Sequence, residues 1–217
     1  MGRETRERPK LTAKGARTRA RIVECAARLI HERGVADTTL DEVRGAAEVS
    51  GSQLYHYFAD KDDLVQAVID HQADTLAADQ CQADLGSAEG LRAWREMVMA
   101  HATNTGARGG CPLGSLGGQL SEADPEARAL IAAGFDRWSA AMGDSLRNLP
   151  AAGHRADGTT PDGLALTLLA TLQGGLLLAQ VHRDPRLLET VLDTFITLAS
   201  GNPTAPPDEG APPAGGA

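Results

Sequence analysis

Apolar residues recur every three to four positions along most of this 217-residue chain, a period that predicts helices from near the start to residue 199. Ile22, Cys25, Ala26, Leu29 and Ile30 fall on one face of a helix expected over 14–32 and closed by Gly34. Two short helices are expected over 40–47 and 51–57, with Val43, Val49, Leu54 and Phe58 as the small core that holds them against the first. A longer helix begins near Lys61 and carries Leu64, Val65, Val68, Ile69, Gln72 and Leu76. Further helices are expected over 88–105, 114–121, 125–148, 161–182 and 185–199. Pro125, Pro161 and Pro185 stand where a first-turn proline is tolerated. Alternating β-branched runs are few, so the fold class is all-α. The domain organisation reads as a flexible basic arm over 1–13, a three-helix head over 14–60, a helical body over 61–200 and a Pro/Gly/Ala tail over 201–217 expected to be disordered. Residues 148–160 read as a polar loop.

The helix starts in the head are marked in polar residues. Thr39-x-x-Glu42 and Ser50-x-x-Gln53 are capping-box patterns, and Asp60-x-x-Asp63 puts acidic groups in a first turn. A helix opening Ser50-Gly51-Ser52-Gln53 presents donors and acceptors at the end that a helix-turn-helix inserts into the DNA major groove. Tyr55, His56 and Lys61 follow, able to meet phosphates or base edges.

Charge changes the picture by its distribution. The net charge of −8 argues, taken alone, against a nucleic-acid partner. Residues 1–61, however, hold 12 Lys/Arg against 9 Asp/Glu, and residues 62–217 hold 9 against 20. A basic head on an acidic body turns the head toward phosphate. Aromatic content of 3% means a core built mainly of Leu, Ala and Val, which suits helices. Three cysteines in no paired spacing fit a reducing cytoplasm and free thiols. No HExxH, Walker or GxSxG pattern occurs, and the six histidines show no metal-ligand spacing, so neither an enzyme, a metal nor a cofactor is expected.

Between residues 19 and 69 the order of motifs resembles the DNA-binding domain of the tetracycline-repressor (TetR) family. The elements are Leu29-Ile30-His31-Glu32-Arg33-Gly34, Thr38-Thr39-Leu40, Glu48-Val49-Ser50 and Leu54-Tyr55-His56-Tyr57-Phe58, followed by Lys61 and Leu64. The resemblance implies a homodimeric transcriptional regulator, a repressor released from a palindromic operator by a small molecule. It implies DNA contacts from Thr39, Ser50, Gly51, Ser52, Gln53, Tyr55, His56 and Lys61, with Ser52 and Gln53 as base readers. Glutamine can grip adenine with both amide atoms. Two departures stand out. Glu48 fills a turn position usually held by Gly, where a positive φ would strain it by about 1 kcal/mol. Gly51-Ser52-Gln53 replaces the commoner Lys-Gly-Thr, which leaves the operator sequence open.

In this family the last two helices pair with their mates as a four-helix bundle. That implies a dimer interface at Leu168, Leu172, Gly175, Leu176, Leu188, Val191, Leu192 and Phe195. Residues 164–181 are uncharged and long enough to compete as a membrane helix, though Thr167, Thr171, Gln173, Gln180 and Gly174-Gly175 count against that. The family's ligand pocket lies among the body helices, and Trp94, Met97, Cys111, Leu116, Leu120, Phe135, Trp138, Met142, Gln173 and Leu177 are its candidates. Ordinary core filling competes for both tryptophans. Cys111, in the turn Gly109-Gly110-Cys111-Pro112, resembles the cysteine turn of some electrophile- or oxidant-sensing members, so a thiol switch stands as an alternative beside a buried structural cysteine. An alternative of another class is a helical module whose head meets protein or membrane instead of DNA.

Overall fold

The computed structural model describes residues 11–149 and 159–200. The expected arm up to residue 10, most of the 148–160 loop and the 201–217 tail lie outside the described residues. Among those described there are nine helices. They are α1 (Ala13–Arg33), α2 (Leu40–Ala46), α3 (Gly51–Tyr57), α4 (Lys61–Cys81), α5 (Ala88–Asn104), α6 (Pro112–Leu120), α7 (Pro125–Leu146), α8 (Pro161–His182) and α9 (Arg186–Ala199). Helix α6 begins two residues before the expected 114, because Pro112 opens it as Pro125 and Pro161 open theirs.

Packing divides the chain into two compact units. The first takes in the described residues through Leu76 together with Pro112–Phe135, and the second Ala77–Cys111 with the described residues from Asp136. The units divide after Leu76, within α4, and α6 with the first part of α7 packs with the head.

In the first unit, Ile22, Ala26, Ile30, Val43, Leu54, Phe58, Leu64, Val68 and Ile69 are buried together as the core. Arg19 lays its guanidinium 5.1 Å from the Phe58 ring centroid, a cation–π contact tying the end of α3 to α1. Helix α1 ends at Gly34 with φ 89°, a conformation open to glycine. A Cβ there would also stand 3.0 Å from Gln119 Oε1. That oxygen accepts the Val35 N–H at 2.8 Å, while Gln119 Nε2 donates to Ser115 O and Oγ at 3.1 Å. Arg33 reaches Glu42 at 2.9 Å, joining the last turn of α1 to the first of α2.

The second unit is built on α8 packed along α9. Gly175 lets them approach: a Cβ there would lie 2.7 Å from Leu188 Cδ1 and 2.8 Å from Val191 Cγ2. Leu168, Leu172, Leu188, Leu192 and Phe195 are each 5% exposed or less. These five and Gly175, expected at a dimer interface, are buried within the protomer. Leu176 and Val191 stay half-buried. What α8 leaves outward is Leu166, Leu177, Leu178 and Val181, with Ala170 and Gly174 between them. Helix α8 is long and apolar enough to cross a membrane, with a mean hydropathy of 1.7 over its best window, yet one side of it forms this seam. Arg95 of α5 clamps α9 by donating to Asp193 at 2.8 and 2.9 Å and to Glu189 at 2.6 Å. Those carboxylates, Asp193 foremost, raise the Arg95 pKa further above its ordinary value. At the α8–α9 turn the Arg186 guanidinium, then its backbone N–H, holds Asp184 down to a pKa of about 2.

Candidate nucleic-acid interface

Both capping boxes form. Thr39 Oγ1 accepts the Glu42 N–H (3.3 Å), and Glu42 Oε2 accepts the Thr39 N–H (2.9 Å) and hydroxyl (2.8 Å). The Thr39 N–H first, then its hydroxyl and Arg33, hold the Glu42 carboxyl below the usual range. Ser50 Oγ accepts the Gln53 N–H at 3.2 Å, and Gln53 Oε1 accepts the Ser50 N–H at 2.9 Å. At α4, Asp60 Oδ1 accepts the Asp63 N–H at 2.8 Å, and Asp63 Oδ2 accepts the Ala59 N–H at 3.1 Å. Polar side chains thus fix where each helix starts.

Helix α3 buries Leu54 and leaves Ser52, Gln53, Tyr55 and His56 outward. Tyr55 is 61% exposed, too wet for a packing role, while Phe58 is 1% exposed and belongs to the core. Tyr57 is half-buried with His56 edge-on to its ring at 4.9 Å between centroids. Two expected contact groups are already occupied. The Thr39 hydroxyl serves its capping box, and Lys61 Nζ donates to Ala36 O at 3.3 Å, which leaves its other protons for a phosphate. Gln53 Oε1 is likewise engaged by the Ser50 N–H, which leaves its second lone pair and the Nε2 donors for a base. Lys14, Arg17 and Arg21, three and four residues apart on one exposed face of α1, were absent from the expected contacts. Helical spacing could have revealed them.

Residues 22–68 match the family described as "Bacterial regulatory proteins, tetR family". Residues 87–195, half of the chain, match "Tetracyclin repressor-like, C-terminal domain". The chain belongs to the TetR family. It is 32% identical to an uncharacterized HTH-type transcriptional regulator of Mycobacterium tuberculosis over 182 residues, covering 80% of this chain and 89% of that one. It is 27% identical over 195 residues to the transcriptional regulator AcuR of Cereibacter sphaeroides, covering 88% and 89%. Among solved structures, the regulatory protein TetR from Rhodobacter sphaeroides superposes with a TM-score of 0.72 at 25% identity, over 82% of this chain and 97% of that one. Members of the TetR family are DNA-binding transcriptional regulators that act as dimers, typically ligand-responsive repressors, and the named relatives are described as transcriptional regulators.

In this TetR-family chain, Glu48 between α2 and α3 has φ 51° and is exposed. The departure from glycine thus carries backbone strain. Glu48→Gly should raise Tm by roughly 2–4 °C, corresponding to about 1 kcal/mol. Glu48→Gln, which loses the charge but keeps the Cβ, should not. Equal melting of the two variants would remove strain as the cause.

The expected ligand residues divide between the units. Trp94, Cys111, Trp138 and Met142 are buried in the second, whereas Leu116, Leu120 and Phe135 belong to the first. Gln173 is half-buried. Met97 and Leu177 are 56% and 59% exposed, so neither lines an enclosed pocket of the protomer, and Leu177 stands on the outer stripe of α8. Cys111 is 8% exposed, which favours a small buried cysteine over a reachable sensor thiol. Sequence gave no sign of Gln80. It is buried, its Oε1 accepts the Trp138 indole N–H at 3.4 Å, and its Nε2 has no partner. A cavity of about 10 Å³ beside His101, Thr105, Arg108 and Leu176 has room for a water. Among the described residues no group of three or more His, Cys, Asp and Glu side chains could hold a metal.

Proposed function

We propose that this regulator is a cytoplasmic repressor that grips a palindromic operator as a homodimer and leaves it when a small molecule binds the body. The observation that carries the reading is α3 itself, a doubly capped helix with Ser52, Gln53, Tyr55 and His56 outward and its apolar side anchored by Leu54. A single seven-residue helix contacts too few bases for specific binding, so two heads related by a twofold axis must share the site. The second copy docks on the outer stripe of α8, Leu166, Ala170, Gly174, Leu177, Leu178 and Val181. These recur at helical spacing, and a Cβ at Gly174 would meet nothing in the protomer. That use of α8 replaces the membrane.

The inducer enters the second unit near Trp138 and Gln80. A buried amide donor without a partner costs about 1–3 kcal/mol, which a ligand carbonyl or carboxylate would relieve. An apolar or aromatic molecule carrying one such acceptor fits this reading.

Selection of bound fragments from random duplex DNA with the purified full chain tests the DNA reading. A palindrome is expected. If Lys14, Arg17, Arg21 and Lys61 of both heads each neutralise a phosphate, the slope of log K against log salt approaches about −7. A slope near zero, with no enriched sequence, would point to a protein or membrane partner.

A further inference from the structure

We propose that Gln119 of α6 is a positioning residue for operator binding, pinning the corner of chain between α1 and α2; the proposal rests on Thr39 and Lys61 meeting phosphate. Residues 34–39 lie between helices, so their backbone polar groups need partners from elsewhere. The Thr38 hydroxyl donates to Gly34 O at 2.8 Å, and Lys61 Nζ donates to Ala36 O at 3.3 Å. Gly34 closes α1 with φ 89° and ψ 165°, which carries the chain away from the helix. The Val35 N–H then donates to Gln119 Oε1 at 2.8 Å, 84 residues further along the chain. Both ends of the amide agree on its orientation: Oε1 faces that N–H, and Nε2 faces Ser115 O and Oγ at 3.1 Å. The seat is close-fitting, since a Cβ on Gly34 would stand 3.0 Å from Oε1.

The corner ends at Thr39, the cap of α2, and is gripped by Lys61, the first residue of α4. Both phosphate-contact groups are therefore attached to it. A corner already pinned needs little ordering to present them together, whereas a loose one loses its freedom when the duplex arrives. Gln119 touches no DNA itself and acts through Val35. Linkage runs both ways: if the anchor favours binding, bound operator must favour the anchor and steady the end of α6 that carries it. That end is weak on its own, with Gly117 and Gly118 beside Gln119 and open space where a Cβ on Gly118 would be. A change in its order is thus measurable.

The test uses the full chain and the duplex that the wild type selects from random DNA. Gln119→Met keeps the length of the side chain and removes its oxygen, while Gln119→Glu keeps an oxygen for the Val35 N–H. Gln119→Met should select the same palindrome but bind it roughly 3- to 10-fold more weakly, the scale of a lost hydrogen bond. Gln119→Glu should bind within about twofold of the wild type. Hydrogen exchange reads the reciprocal arm: operator should slow the amides of residues 115–120 in the wild type and in Gln119→Glu, but not in Gln119→Met. A merely structural role would lower the Tm of Gln119→Met and leave affinity and the operator-dependent exchange unmoved. Binding by Gln119→Met within about twofold of the wild type, or equal losses in the two variants, would overturn the positioning role. A wild type that enriches no sequence would overturn the phosphate roles of Thr39 and Lys61, and this one with them.

Discussion

Leu177→Asp combined with Val181→Asp is expected to give a folded monomer that no longer holds its operator. Both side chains are already largely in water, at 59% and 68% exposure, so the protomer has little packing to lose. A symmetric dimer built on this stripe would instead bury four carboxylates at its centre without partners, at several kcal/mol each. Dimerisation should weaken on the order of 1,000-fold or more, and operator affinity should fall toward non-specific binding, again on the order of 1,000-fold. Sedimentation velocity, thermal melting and operator titration read the three consequences separately. The contrasting variant is Leu168→Asp: that residue has no exposure, belongs to the buried side of α8 and should unfold the second unit. A double variant that still sediments as a dimer would place the interface elsewhere. Gly174→Ala refines the test, because helix propensity should stabilise the protomer by roughly 0.8–1 kcal/mol while a close helix crossing would be pushed apart.

The reason this face was not legible in the sequence is physical. Helix α8 is apolar nearly all round, so its pattern does not say which side meets α9 and which stays outward. In α9 the contrast between faces is sharp, and Leu188, Leu192, Phe195 and Ile196 could be read as buried from spacing alone. The head was legible for a related reason: its helix starts are set by local hydrogen bonds between residues three apart, and local rules show in local sequence. Gln53 reads as a cap and as a base reader, and the geometry shows the cap formed. Long-range pairings such as Val35 with Gln119, or Gln80 with Trp138, link residues that no spacing rule connects.

Phe58→Ala is expected to be the most damaging single change in the head. The ring is 1% exposed, closes α3 as its C-cap and carries Arg19 over its face at 5.1 Å. Removing it subtracts the transfer energy of a buried aromatic, leaves a cavity in the core of the first unit, and strips the cation–π contact, at a total of about 3–5 kcal/mol. That is a large share of the roughly 5–15 kcal/mol that holds a domain together. A fall in Tm of roughly 6–20 °C follows for a chain of this size. Because α8 and α9 belong to the other unit, dimerisation should survive while operator binding is lost. Hydrogen exchange should show α1–α3 losing protection ahead of α8 and α9. Phe58→Leu, which keeps most of the volume, should cost less than about 1.5 kcal/mol and retain the operator. If Phe58→Ala instead melts within about 2 °C of the wild type and binds DNA normally, this ring does not hold the recognition helix in place.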